Sequence, residues 1–255
     1  VPVVRNSFDG DVSVWCVLVA AGSGRRYGGA KQFESVGGRR VLDRSLDAAL
    51  AHCDGVVLVV APDAVERERR LAEAGLADDA GAPTAVVAGG ATRSESVRCG
   101  LAAVPDAAGV IVVHDAARPL ATPELFSQVV GVVLDGASAG VPVIPVVDTI
   151  RRSDGAVVDR NELRAVQTPQ AFAAEILRSV HAASPEATDD ASLVEAAGGT
   201  VSLIPGEVRN VKLTTQEDRL IIEAFLAVDN STAAPSTAAV VIDESSLAGP
   251  EREDS

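Results

Sequence analysis

The chain has 255 residues, 47% of them hydrophobic, and a formal net charge of −14 at pH 7. That length and apolar content suit one sizeable α/β core, and the acidic balance excludes a general nucleic-acid or membrane-surface binder, which needs a cationic face. Three cysteines, Cys16, Cys53 and Cys99, are odd in number and lack CxxC spacing, which excludes a disulfide framework or zinc knuckle and fits a reducing cytoplasm.

In chain order, residues 1–12 read as an irregular leader without a signal-peptide pattern, and no later stretch nears the ~20 apolar residues of a membrane span. A soluble protein is expected. Val14 to Val19 is a continuous apolar run entering glycine, the pattern of a parallel strand buried on both faces. Next comes AAGSGRRYGGAKQF, in which Gly22 and Gly24 allow close backbone approach to phosphate while Arg25, Arg26 and Lys31 supply positive charge. It reads as a nucleoside triphosphate cradle. A Walker loop would place Ser or Thr after the lysine, and here Gln32 follows.

Val41, Leu42, Ser45, Leu46, Ala49 and Leu50 recur at helical spacing. A strand, Val56 to Val60, ends at a turn through Ala61-Pro62-Asp63, and the charged ERERRLAEA segment reads as a solvated helix face. Ala85 to Ala88 is a further strand running into GGATRSES. Gly89 and Gly90 make either a second ligand-facing loop or an ordinary turn, with Thr92 or Ser94 capping the helix that carries Ser96. Strand Gly109 to Val113 leads into HDAARP, where Asp115 and Arg118 form a partner pair for metal or phosphate at the ligand-gathering edge of an open sheet. His114 reads as a strand-end histidine satisfied by hydrogen bonds. Pro123 opens a helix to about Leu134, followed by a strand over Val141 to Val147.

From Asp148 the texture changes, with turn residues and repeated arginines. Short strands around Asp154-Gly155 predict a β-hairpin presenting Arg160 at its returning end, either embracing a second subunit or packing on its own chain. Thr168-Pro169-Gln170 is expected to begin a helix, and the acids of TDDASL, residues 188–193, to cap another. Thr200 to Ile204 and Arg209 to Thr215 read as short strands, the second projecting Lys212 opposite Val211 and Leu213. A helix over Gln216 to Val228 closes the domain, taken as 13–230. The tail, 231–255, is rich in Ser, Ala, Pro and acids and is expected to be disordered or loosely docked.

Read together, AAGSGRR, Lys31-Gln32-Phe33, GGATRSES, HDAARP, DTI, DRNELRAVQTPQAF, TDDASL and VKLTT stand in an order that resembles the cytidylyltransferase family making 4-diphosphocytidyl-2-C-methyl-D-erythritol. The resemblance covers about residues 14–228. It implies an α/β fold, Rossmann-like, with a mostly parallel sheet flanked by helices and a projecting hairpin arm over about 148–166. It further implies that Ala20, Ala21, Gly22, Gly24, Gly90, Ser96, Asp115 and Ala116 hold CTP, and that Arg26, Lys31 and Lys212 are catalytic cations. Arg118, Thr149, Arg160, Thr168 and Lys212 match positions around the polyol phosphate. Thr149 and Arg160 belong to an arm shared across a homodimer. Mg2+, or another divalent cation, is the expected cofactor, with Asp115 its neighbour. Val19 and Ala30 stand where many relatives carry Pro, and the loop from Arg26 to Lys31 is short.

The chemistry agrees with that set. A phosphate monoester is already ionised near pH 7, so it needs no general base, and the reaction instead needs alignment of two anions with cationic stabilisation of the α-phosphate and leaving pyrophosphate. Three alternatives compete: a cytidylyltransferase for ribitol 5-phosphate, an NAD-dependent oxidoreductase, and a nucleotide-binding regulator without turnover. Against the second, Gly22, Gly24 and Gly28 give GxGxxxG without an acidic-ended second strand. Against the third, simple binding does not need Arg26, Lys31, Asp115 and Lys212 together.

Overall fold

A computed structural model describes residues 12–24, 26–74, 83–183 and 186–233. Most of the expected leader, Arg25 and the tail from residue 234 lie outside the described residues. Strand β1 (Val14–Ala20) is followed by a short ribbon of β2 (Ser35–Val36) and β3 (Arg39–Arg40), then helix α1 (Val41–Leu50), β4 (Gly55–Val60) and α2 (Val65–Glu73). The chain continues through β5 (Ala85–Ala88), α3 (Arg93–Leu101), β6 (Val110–Asp115), α4 (Pro123–Leu134) and β7 (Ala139–Pro145). A hairpin of β8 (Ile150–Arg151) and β9 (Val157–Val158) precedes β10 (Arg164–Val166), β11 (Gln170–Ala173), α5 (Ala174–Ala182), α6 (Ala191–Ala196), β12 (Val201–Pro205) and α7 (Gln216–Ala233).

Eight strands form one sheet in the order β10-β7-β11-β6-β1-β4-β5, with β12 also on β7. Central strands alternate their apolar side chains between two layers. Cys16, Leu18, Val56, Leu58 and Val112 face Leu42 and Leu46 of α1 and Phe126 and Val129 of α4. Val17, Val57, Val59 and Ile111 face Val97 of α3, Leu177 of α5 and Val194 of α6. Burial on both faces is why these strands read as unbroken apolar runs. A third cluster joins Tyr27, Val41, Leu213, Ile222 and Leu226, so α7 clamps the segment after β1.

The parallel core aligns its carboxyl ends. Ala20 pairs with Val60, Val60 with Ala88 and Val19 with Asp115, so the loops leaving β1, β5 and β6 open at one edge.

Three expectations are corrected. Gln170 does not begin a helix: Gln170–Ala173 is a strand antiparallel to both β6 and β7, placing Phe172 in the core opposite Ile111 and Ala139. The vacant slot between two strands outweighs local propensity. Arg209 to Thr215 is irregular and joins no sheet; Leu213 N–H instead donates to Ala117 O at 2.8 Å, stitching the crossing segment to the end of β6. Glu68, expected on a solvated face, is buried because Arg40 Nη1 reaches both its oxygens at 3.1 Å and Arg67 Nε one at 2.8 Å. The hairpin pairs Ile150 with Val158 and turns through Gly155 at φ +92°.

Candidate active site

At the carboxyl edge of the parallel strands lies a cavity of about 650 Å³. Its first wall is the turn after β1. Gly24 O accepts the N–H groups of Tyr27 at 2.9 Å, Gly28 at 3.0 Å and Gly29 at 3.4 Å, closing the loop on itself. Gly24 holds φ +62°, and a Cβ there would overlap the Gly29 carbonyl oxygen, so only glycine fits. Beneath the turn, the buried Gln32 side chain donates from Nε2 to Ala20 O at 2.9 Å and Gly22 O at 3.3 Å. With those carbonyls turned to Gln32, trans peptide geometry directs the Ala21 and Ser23 N–H groups the other way.

The second wall comes from the loop after β5. Thr92 caps α3 by accepting from Glu95 N–H at 3.1 Å, which aims the first turn of α3 at the cavity. Ser96 Oγ accepts from Gly90 N–H at 3.2 Å and donates to Thr92 O at 2.8 Å, fixing the Gly89-Gly90 turn.

Charge converges on Asp115, the last residue of β6. Lys212 Nζ lies 2.6 Å from its Oδ2, and Arg93 Nε lies 3.5 Å from its Oδ1. Burial alone would raise the Asp115 pKa, but Lys212 and Arg93 hold the carboxyl well below the usual range. Lys31 Nζ donates to Leu213 O. Its pKa is lowered, first by burial and then by Lys212, with Asp115 opposing and Arg26 adding to the repulsion. Among the described residues Lys31 has no carboxylate ion-pair partner, whereas Lys212 has Asp115. Four basic residues, Arg26, Lys31, Arg93 and Lys212, thus line a cavity whose one lining carboxylate among the described residues, Asp115, is already engaged by the last two.

Of the residues picked from sequence, Ala20, Ala21, Gly22, Gly24, Arg26, Lys31, Gly90, Ser96, Asp115 and Lys212 all line this space. Others stand elsewhere. Ala116 is fully buried, its N–H donating to Val19 O at 3.0 Å and its carbonyl accepting from Ser45 Oγ at 3.0 Å, so both its backbone groups are committed to the core. Thr168 lies behind the cavity, its Oγ1 accepting from Asp115 N–H at 3.0 Å and meeting His114 Nδ1 at 3.1 Å. Arg118 donates to Asn210 O at 2.8 Å and Val166 O at 3.4 Å, fastening the segment that carries Lys212. Thr149 is exposed, as is Arg160, which donates to Val147 O; neither lines the cavity of its own chain. His114 is fully buried, and desolvation pushes it down to about 4, leaving it neutral near pH 7.

Sequence reasoning passed over Arg93 and Gln32. Both stood inside quoted motifs, but an arginine after a helix cap usually faces solvent, and an amide side chain that braces carbonyls has no periodic signature.

Comparison with known proteins places the fold and the site in context. Residues 14–228 match the family described as "IspD: 2-C-methyl-D-erythritol 4-phosphate cytidylyltransferase". The chain is 42% identical over 230 residues to the protein of that name from Nocardia farcinica, covering 87% of this chain and 97% of that one. It is 45% identical over 222 residues to a bifunctional IspD/IspF enzyme from Solidesulfovibrio magneticus, covering 81% of this chain but only 56% of the relative. The chain therefore spans little more than half of that longer relative. The crystal structure of 2-C-methyl-D-erythritol 4-phosphate cytidylyltransferase from Thermus thermophilus superposes with a TM-score of 0.68 at 34% identity, over 86% of this chain and all of that one.

Proposed function

This chain belongs to the 2-C-methyl-D-erythritol 4-phosphate cytidylyltransferase family, and from that membership we propose that it transfers CMP from CTP to the phosphate of 2-C-methyl-D-erythritol 4-phosphate, releasing pyrophosphate. One observation carries the mechanism: Lys31 and Lys212, 181 positions apart in sequence, line one cavity with the glycine turn and Asp115.

The substrate phosphate attacks the α-phosphorus of CTP, the new P–O bond forming as the bond to the β-phosphate oxygen breaks and pyrophosphate leaves. The nucleophile arrives ionised, so no proton need be removed. His114 fits this, being buried and neutral outside the cavity. Arg26 and Lys31 meet the triphosphate, Lys31 with a charge that has no carboxylate ion-pair partner among the described residues and so is available to an anion. Lys212 is oriented by Asp115.

Mg2+ fits the donor set as an ion carried mainly by phosphate oxygens. No cluster of three or more metal-ligating side chains exists among the described residues, and hard Mg2+ commonly takes few protein carboxylates. Asp115 is the carboxylate lining the cavity that would hold it, directly or through water. When bound, the ion neutralises triphosphate charge and that of the leaving pyrophosphate.

The hairpin is read as an arm that reaches a second copy of the chain, bringing Thr149 and Arg160 to the polyol phosphate in the partner's site. Supporting this, both residues miss their own cavity, and Val147 at the base of the arm and Val157 and Val166 within it are exposed apolar residues awaiting cover. Among the described residues no helix is long and apolar enough to cross a membrane, and the three cysteines are free. A cytoplasmic homodimer is the proposed state.

The decisive assay is pyrophosphate release with CTP and Mg2+, comparing methylerythritol phosphate against ribitol 5-phosphate. Preference for the former is expected; preference for ribitol 5-phosphate reassigns the substrate, and CTP binding without turnover on either leaves a regulator.

A further inference from the structure

The TDDASL stretch does more than cap a helix. Asp189 behaves as expected, its Oδ1 accepting from Ser192 N–H at 3.0 Å. Asp190 does not: it occupies the N-cap position of α6 yet makes no capping bond. It is instead buried, its Oδ1 accepting from His181 Nε2 at 3.0 Å and its Oδ2 from Arg93 Nη1 at 2.7 Å. Burial would raise its pKa, but the His181 hydrogen bond and the Arg93 charge together lower it, keeping it ionised.

A carboxylate buried this deeply costs several kcal/mol of desolvation unless fully paired, so the pairing is a specific arrangement and not a surface accident. The same segment is fastened to α3 at three more points. Ser94 Oγ donates to Ala187 O at 3.2 Å and accepts from Ala187 N–H at 3.1 Å, and Arg98 Nη2 meets Glu186 Oε1 at 3.0 Å. Residues 186–190 line no part of the cavity, but the turn of α3 to which they are bound supplies Thr92, Arg93 and Ser96 to it.

We propose that Asp190, held by His181, is a positioning residue for the transfer reaction: it fixes Arg93 at the cavity wall, and Arg93 in turn sets Asp115 and, through it, Lys212. The inference rests on the cytidylyl-transfer reading. One guanidinium spans two carboxylates, with Nε toward Asp115 and Nη1 toward Asp190. An ammonium, a single point donor, cannot reproduce that fork. Without the Asp190 charge, Arg93 has only Asp115 to answer to and competes with Lys212 for it.

The test is a double-mutant cycle on the full chain, comparing the parent, Asp190→Asn, Arg93→Ala and the double variant. Readouts are kcat and KM in pyrophosphate release, the CTP dissociation constant by calorimetry without the second substrate, and the melting temperature. Asp190→Asn should lower kcat about tenfold in the parent and change it less than about twofold once Arg93 is absent, with the CTP constant following the same non-additive pattern. Equal factors in both backgrounds would overturn the proposal, since a merely structural residue acts irrespective of Arg93. Should Asp190→Asn not fold, Arg93→Lys keeps Asp190 in place, and wild-type kcat and CTP affinity in that variant would equally overturn it. If the parent turns over neither polyol phosphate, the functional reading has failed, and the calorimetric cycle alone decides the positioning role.

Discussion

Replacing Lys31 by alanine should separate stability from catalysis. Lys31 is partly buried, its ammonium donates to one backbone carbonyl, and its charged form is disfavoured first by burial and then by Lys212. The folded protein therefore holds this cation at a net cost, and truncation should leave stability within about 0.5 kcal/mol of the parent or raise it. Turnover should behave oppositely. One missing contact to charge that develops in the transition state is worth about 3–4 kcal/mol, or 10²–10³ in kcat. Pyrophosphate release at saturating substrates reads the second quantity and thermal unfolding the first. A fall in kcat below about tenfold, or one matched by unfolding, would refute the assignment of Lys31 to the reacting centre. The sign of the pH effect is also set: because the Lys31 pKa is lowered in the free protein, kcat/KM for CTP should decline with rising pH before the ordinary lysine range is reached. Lys31→Arg should lose that decline.

His114 predicts an acid limb in stability: its folded pKa, pushed by burial from 6.5 to about 4, means that the unfolded chain takes up the proton first. Stability is then lost as pH falls from about 6.5 to 4, by about 3 kcal/mol, and denaturant titrations of His114→Gln should show a flatter slope over that window. An unchanged slope would contradict it. Gly24→Ala should cost more than about 1 kcal/mol and weaken CTP binding in calorimetry, since left-handed backbone and the Gly29 carbonyl both oppose a Cβ. Gly28→Ala, with open space around its Cβ, should suffer only the backbone strain. Arg160→Ala should raise KM for the polyol phosphate and leave CTP binding intact. Mixed with Lys31→Ala subunits in equal amounts, at a polyol phosphate concentration too low for Arg160→Ala alone to turn over, it should recover about a quarter of parental activity if the arm serves the partner's site, because half the dimers are hybrid and each keeps one intact site. No recovery would return the arm to its own chain.

Much of the fold was legible because buried parallel strands and amphipathic helices leave periodic signatures. The runs read at Val14 to Val19, Val56 to Val60 and Gly109 to Val113, the helix opened by Pro123 and the Asp154-Gly155 turn are local patterns, and the structure has a strand, helix or turn at each, to within two residues for the strands. Gln170–Ala173 failed the same reading because a four-residue segment after a proline is too short to show a period, and only the gap between β6 and β7 makes it a strand. Lys212 was chosen for the wrong local reason. No strand presents it, and it reaches Asp115 because Arg118 and the Leu213 N–H tie its irregular segment across the end of β6.

The order of motifs, and the residue types that reaction with a triphosphate demands, were determined by sequence alone, since glycine turns and clustered cations are local chemical statements. Sequence could not say which charges are already spent. Asp115 holds Lys212 and Arg93, Asp190 turns from a cap into a brace, and Lys31 keeps a cation with no carboxylate ion-pair partner among the described residues. Those distinctions depend on contacts between groups as many as 182 positions apart, as from the Lys31 ammonium to the Leu213 carbonyl. Only the packing of loops at one edge of the sheet decides them.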